Sequence, residues 1–190
     1  DLQVSGEEKW FVRGNIARNF HSPALNDLYW QPGGNPDLQP EKGYSTELGT
    51  DYRLEYGRHS LKLGLTGYFS EINDWIIWVP SYKGFWEPGN ISRVESKGLE
   101  AELGLEGAFG KFRYTVLANY AYTSSKNYGD PEVWGDESYG KQLVYVPLHS
   151  GNLMVNLSFK GYYTTWQHNS YSERFTTSSN DLSRRDWLYP

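Results

Sequence analysis

Cysteine is absent from all 190 residues, which excludes a disulfide framework, a thiolate metal site and a thiol nucleophile. Methionine occurs once. No run of about 18 apolar residues is present, so a transmembrane helix is excluded by length; strands are not, because they need apolar residues only at every second position. A positive charge excess is also lacking. The net charge is −5, the pI is near 5.4 and Lys and Arg are scattered, so no nucleic-acid partner is expected. Asp1 is not preceded by an initiator Met, basic region or apolar signal segment, and Pro190 directly follows Trp187, Leu188 and Tyr189. Both ends therefore read as cuts through a longer chain. The G-x-S-x-G, HExxH, Walker and GxGxxG patterns are missing too, which points away from an enzyme and from a bound cofactor.

Abundant instead are large amphipathic rings, with 16 Tyr and 8 Trp in a chain that is 17% aromatic. A simple soluble core does not need such a bias, whereas membrane interfaces and ligand-lining loops use it. The decisive segment is 98–106, GLEAELGLE, whose Leu, Ala and Glu content by propensity alone suggests a helix. Its periodicity says otherwise. Leu99, Ala101, Leu103 and Leu105 fall on one side at strict spacing two, against Gly98, Glu100, Glu102, Gly104 and Glu106. The same alternation sets the even residues from Tyr44 to Tyr56 against Glu47, Asp51, Arg53 and Glu55. It sets Leu61, Leu63 and Leu65 against Lys62, Gly64 and Thr66, and Tyr114, Val116, Tyr120 and Tyr122 against Arg113, Thr115 and Asn119. Trp10, Val12 and Ile16 against Phe11, Arg13 and Asn15 repeat it less cleanly, and two more strands flank a turn near Lys160 and Gly161.

Connections alternate as well. Those around Gly57 to His59, Gly107 to Lys111 and Phe159 to Gly161 are tight, while residues 20–43, 73–93, 126–142 and 171–185 read as long loops. Short turns at one end and long loops at the other, joined by strands of roughly 10 residues or more, predict an antiparallel transmembrane β-barrel with its long loops outside. About eight strands are expected. A soluble β-sandwich shares the alternation, and its charged side would then merely be the solvated one. Tyr52, Tyr56, Tyr120, Tyr122 and Trp75, placed near strand ends like interfacial girdles, favour the barrel.

Residues 18–41, RNFHSPALNDLYWQPGGNPDLQPE, carry a family resemblance. Ser22, Pro23, Leu25, Leu28 and Tyr29, followed by Asn35, Pro36, Leu38, Pro40 and Glu41, resemble TonB-dependent outer-membrane receptors, in which N-P-x-L-x-P-E closes an extracellular loop and opens a descending strand. Gly67, Tyr68, Phe69, Ile72, Asp74 and Ile76 look like the family's next ascending strand. Residues 90–105, NISRVESKGLEAELGL, resemble the family's N-x-x-x-x-x-x-x-G-x-E descending strand after it, with Gly98 and Glu100 matching, and Tyr120, Tyr122 and Thr123 with Val146, Pro147, His149 and Asn152 resemble the following hairpin. The resemblance spans about residues 10–160. It implies residence in the outer membrane of a Gram-negative cell, and a barrel of about 22 strands around an amino-terminal plug. It also implies import of a scarce nutrient with energy delivered by TonB, and contact with membrane lipid and with a surface lipoprotein. Residues 1–190 would then be a partial barrel domain lacking the plug and the end of the barrel. Pro40 in NPDLQPE fits metal-chelate and cobalamin receptors better than glycan importers, so the expected cargo is cobalamin or a ferric siderophore. A complete small barrel acting as an adhesin and a carbohydrate-binding sandwich remain as alternatives.

Candidate site residues form two sets. If the apolar set faces lipid, Arg13, Glu47, Asp51, Arg53, Lys62, Glu100, Glu102 and Arg113 face the lumen, where they hydrate it, pair across strands and contact a plug. In the loops, Tyr29, Trp30, Trp78, Tyr82, Phe85, Trp86, Trp134 and Tyr139 offer flat rings for a large, partly apolar ligand, against the plainer role of packing on one another. Asp130, Glu132, Asp136 and Glu137 present oxygen ligands of the kind calcium takes, but without EF-hand spacing, and read first as a solvated loop. His21, His59, His149 and His168 read as surface or loop hydrogen-bonding groups.

Overall fold

A computed structural model describes residues 6–129, 138–182 and 185–186. Seven strands form one antiparallel sheet in simple sequential order: β1 (Glu7–His21), β2 (Glu41–Tyr56), β3 (His59–Pro80), β4 (Trp86–Phe109), β5 (Phe112–Asn127), β6 (His149–Phe159) and β7 (Tyr162–Tyr171). A two-residue ribbon, β8 (Arg174–Phe175) with β9 (Arg185–Asp186), lies beyond it, and one short helix, α1 (Leu25–Tyr29), sits between β1 and β2. Among the described residues no second sheet covers either face, which removes the sandwich alternative.

The period-two pattern becomes two faces because every pairing keeps one register. Phe11, Asp51, Gly64, Glu102, Asn119, Asn152 and Asn169 stand opposite one another on a single rung crossing all seven strands. One residue along, on the other face, the rung reads Trp10, Tyr52, Leu63, Leu103, Ala118, Leu153 and His168. Among the described residues nothing covers the apolar face: Trp10 is 68%, Val12 77% and Ile16 82% exposed. The buried hydrophobic residues among those described are Leu38 and Val94. A sheet of this size with no apolar core is untenable in water, since burial of apolar surface is the main favourable term in folding. In hydrocarbon the same face is at home, and the strand ladder satisfies the backbone internally.

Aromatic residues bound the apolar band at both ends. On the turn side Phe109, Phe112, Phe159 and Tyr162 share one rung. On the other side the edge passes through Phe20, Tyr44, Phe69 and Tyr122, falling by six residues from β1 to β5. Six residues are about 20 Å along a strand, and four strand spacings are about 19 Å across it, so a level membrane surface meets these strands at roughly 45°. That is the tilt of outer-membrane barrels. Tyr52, expected near a strand end, lies inside β2 with its ring centroid 4.8 Å from that of Trp10.

The turns β2–β3, β4–β5 and β6–β7 lie at one end and each contains two residues. Lys160 and Gly161 both have positive φ, 49° and 90°, the hairpin geometry whose twist matches that of the strands it joins. At the other end residues 73–93, expected as a loop, continue β3 and β4 as a hairpin that pairs until Pro80 meets Trp86. The run Trp75, Ile76, Ile77, Trp78 and Val79 is β-branched and aromatic throughout, and so favours extended pairing although it no longer alternates.

The unlike faces generate a prediction. Leu103→Arg should destabilise the barrel folded into phosphatidylcholine vesicles by about 2–4 kcal/mol, read from the urea midpoint. Asn119→Arg, one rung partner away on the other face, should shift it by less than about 1 kcal/mol.

Candidate functional site

The charged face is a shallow polar wall built over small residues. Arg13 reaches across Gly49, ion-pairing with Asp51 at 3.2 Å and donating to Thr66 Oγ1 at 2.7 Å. Arg53 lies over the Phe11 ring at 5.4 Å, and Asn119 donates to Asn152 at 3.2 Å. Tyr68 extends over Gly98 and donates to Thr123 Oγ1 at 3.0 Å; a Cβ at Gly98 would collide with the Tyr68 ring and the Tyr122 carbonyl. The glycine in the G-x-E pattern is thus the floor beneath a tyrosine. Glu47, Lys62, Glu100, Glu102 and Arg113 share this face and form no ion pair among the described residues. Asp51, Lys62 and Glu102 border one depression of about 220 Å³. Glu100 and Glu102 border another of about 230 Å³, with Asn119, Asn152 and Asn169.

At the long-loop end, residues 22–40 fold against the β3–β4 hairpin. Asp27 accepts from the Ala24 backbone N–H at 2.9 Å and from Trp78 Nε1 at 2.9 Å, so one carboxylate both starts α1 and ties it to β3. Asn35 donates to the Pro88 carbonyl at 3.2 Å, and Glu41 accepts from the Ile76 N–H at 2.8 Å while its other oxygen lies 3.3 Å from His21. Asn90 makes a two-way bond with Gln39, accepting from its N–H at 2.9 Å and donating to its carbonyl at 3.0 Å. The N-P-x-L-x-P-E stretch is therefore a latch, with Leu38 buried beneath it.

This packing draws some of the loop aromatics together. Trp78 is tied to α1, and a Cβ at Gly33 would strike the Trp86 carbonyl and approach the Phe85 ring at 3.4 Å; Trp30 ends α1 a few residues earlier. Tyr29, Trp30 and Trp86 stay exposed. Tyr82 projects alone at the hairpin tip, 95% exposed, beside Lys83. The Glu87 carboxylate, 2.7 Å away, raises the Lys83 pKa by hydrogen bond and then by charge, so this tip pair persists at neutral pH and is lost as pH climbs through the raised lysine value. Tyr139 lies on a different segment, edge-on to Tyr128 at 5.8 Å. Trp134 and the acidic set Asp130, Glu132, Asp136 and Glu137 lie outside the described residues.

Residue-by-residue reading missed Asp27 and Gln142, and had Asn90 only as the first residue of a motif. Gln142 is buried; it accepts from the Ser125 N–H at 3.0 Å, donates to the Thr123 carbonyl at 3.2 Å and fastens residues 138–148 to the top of β5. Asp27 and Gln142 are polar residues between strands with a partner distant in sequence, and no local pattern marks them. Asn90→Ala should free the Gln39 amide and speed its hydrogen exchange by roughly fivefold or more, since a lost hydrogen bond is worth about 1 kcal/mol. The amide of Tyr68, deep in the β2–β3 ladder, should exchange as before.

Comparison with known proteins fits this geometry. The family model described as TonB dependent receptor-like, beta-barrel, matches residues 7–188. The vitamin B12 transporter BtuB of Photobacterium profundum is 35% identical over 156 residues, covering 79% of this chain and 24% of that protein. BtuB of Vibrio vulnificus (strain YJ016) is 33% identical over 121 residues, 63% of this chain and 18% of that protein. The iron-regulated outer membrane virulence protein of Vibrio cholerae serotype O1 (strain ATCC 39541) is 24% identical over 202 residues, 95% of this chain and 29% of that protein. The chain thus spans about a quarter of the length of the curated relatives it matches. A tilted antiparallel sheet with one apolar and one charged face, matched along nearly its whole length, places this chain in the TonB-dependent receptor family, as part of the family's β-barrel.

Proposed function

We propose that this sheet is one arc of the wall of a TonB-dependent transporter that imports cobalamin across the outer membrane. The observation that carries the proposal is the division of one sheet, uncovered among the described residues, into an apolar face and a charged face whose Glu47, Glu100 and Glu102 form no ion pair among those residues. A wall of that kind separates lipid from a hydrated lumen, where Glu47, Glu100 and Glu102 are free to make polar contacts with a plug that must slide. The two edges support the scale. β1 and β7 do not pair with each other, and an open strand edge cannot stand in hydrocarbon, so both call for neighbours from a larger barrel. A small closed barrel of these seven strands is at odds with that topology, which weighs against the adhesin reading.

The long-loop end then faces outward and presents Tyr29, Trp30, Trp78 and Trp86 for cargo capture, held in place by Asp27 and the latch at residues 35–41. Cobalamin is favoured because two relatives named for vitamin B12 transport share 33–35% identity with this chain. A ferric siderophore is the second reading, supported by the iron-regulated relative matched across 95% of the chain. Energy coupling through a plug and TonB follows from the family and concerns parts of the receptor outside this arc.

Titration of the full receptor separates the two readings. Cyanocobalamin should quench its tryptophan fluorescence saturably while ferric siderophores do not, and Trp86→Ala should weaken cobalamin binding by about tenfold. Saturation by a siderophore alone would favour the second reading, and a response to neither would contradict both.

A further inference from the structure

The charged face changes character across the sheet. Each of β1 to β4 brings charge to it, Arg13, Asp51, Arg53, Lys62, Glu100 and Glu102 among them. On β5 the single charge is Arg113, beside the turn, and on β6 and β7 there is none. From Ser150 to Ser158 on β6 and from Tyr163 to Tyr171 on β7 this face is built of Asn, Gln, Ser, Thr and Tyr, with Met154 its one apolar member. Carboxamides lead the neutral sector. Asn119, Asn152 and Asn169 stand side by side on one rung of β5, β6 and β7, at the interstrand spacing of about 4.8 Å, and all three are exposed. Asn119 donates to Asn152 at 3.2 Å, and four residues nearer the turns Thr165 donates to Asn156 at 2.7 Å. Two depressions lie along this sector. The one towards the loops, about 230 Å³, is bordered by the three asparagines and Tyr171, with Glu100 and Glu102 on its β4 side. The one towards the turns, about 340 Å³, is bordered by Asn156, Thr165 and Tyr163. Each combines carboxamide and hydroxyl groups with a flat ring.

A carboxamide offers two N–H donors and a carbonyl acceptor, so a row of them meets another amide in either orientation. Exchange of one neutral hydrogen bond for another is nearly even in free energy, whereas an ion stripped of its partner inside a protein is left at considerable cost. Charged side chains therefore keep a neighbour on their side, and neutral ones let it go. Glu100 and Glu102, at the border of the two sectors, repel anions from the first depression. We propose that cargo crosses the lumen along β5 to β7, its peripheral carboxamides passed from Asn119, Asn152 and Asn169 to Asn156 and Thr165, while the plug, as it slides, keeps to β1 to β4. The inference rests on the cobalamin reading put forward under Proposed function, since a corrinoid carries a rim of neutral amide side chains and an anionic ferric chelate does not.

Uptake and surface binding of radiolabelled cyanocobalamin, measured in intact cells carrying the full receptor, test the path. Asn119→Leu with Asn152→Leu should slow energised uptake about tenfold, the effect of two lost hydrogen bonds, and leave binding to de-energised cells unchanged. Asn119→Gln with Asn152→Gln keeps the carboxamides and should restore most of the rate. Position is read with Asn152→Cys and Gly64→Cys, which share one rung on β6 and β3, in receptors otherwise free of cysteine. A small water-soluble maleimide should label position 152 faster during energised uptake than at rest, and position 64 equally slowly in both. Wild-type uptake by the Leu pair, equal loss in the Gln pair, or faster labelling at position 64 during uptake would each overturn the inference and leave the cobalamin reading standing. A receptor that binds no cobalamin would sink that reading, and the inference with it.

Discussion

Everything in this sheet depends on the register of its backbone ladder. Side chains alternate with period two, so a one-residue slip between any two strands would move a whole column of residues to the other face. For β4 that would exchange Leu99, Leu103 and Leu105 for Glu100, Glu102 and Glu106 against hydrocarbon. The three two-residue turns hold the register at one end. At the other, the Glu41 and Asn90 clips hold β2, β3 and β4 in step where the ladder leaves the membrane. Glycine has a matching part on the charged face, where long side chains from one strand lie over the neighbouring strand, as Tyr68 does across Gly98.

The same ladder makes the loop end rigid enough to serve recognition. β3 and β4 rise beyond their neighbours as a paired hairpin, so the backbone of the projection is satisfied without help from packing. Residues 22–40 then lean on it through polar contacts at Asp27, Asn35 and Gln39, joined by Glu41 at the start of β2, rather than through an apolar core. An exposed surface held by directional bonds can leave Trp30 and Trp86 uncovered. A surface held by aromatic packing would have consumed those rings.

How far the sequence could be read depended on which interactions are local. Alternation at 98–106 was sufficient to override helix propensity, and the short turns at Gly57, Gly110 and Gly161 gave the antiparallel order. The motif residues Asn35 and Glu41 were visible as a pattern, but their physical work was not. That work consists of bonds to Pro88 and Ile76, some 35 to 53 residues away along the chain. The continuation of β3 past Asp74 was hidden because the run from Trp75 to Val79 is apolar at every position and carries no period. Single residues such as Asp27 and Gln142 gave no signal for the same reason: a polar side chain in a loop looks alike whether it faces water or ties two segments together.

The most direct test of the two-faced membrane wall is a cysteine scan along β4. The chain contains no cysteine of its own, so single substitutions at positions 99 to 106 report individually. In the receptor in native outer membranes, with any cysteine elsewhere removed, each is challenged with a water-soluble maleimide and with a lipid-dissolved quencher. The account predicts strict alternation: positions 99, 101, 103 and 105 reached from lipid and silent to the aqueous reagent, and positions 100, 102, 104 and 106 the reverse. Aqueous labelling of both sets alike, or a period nearer 3.6 than 2, would contradict it.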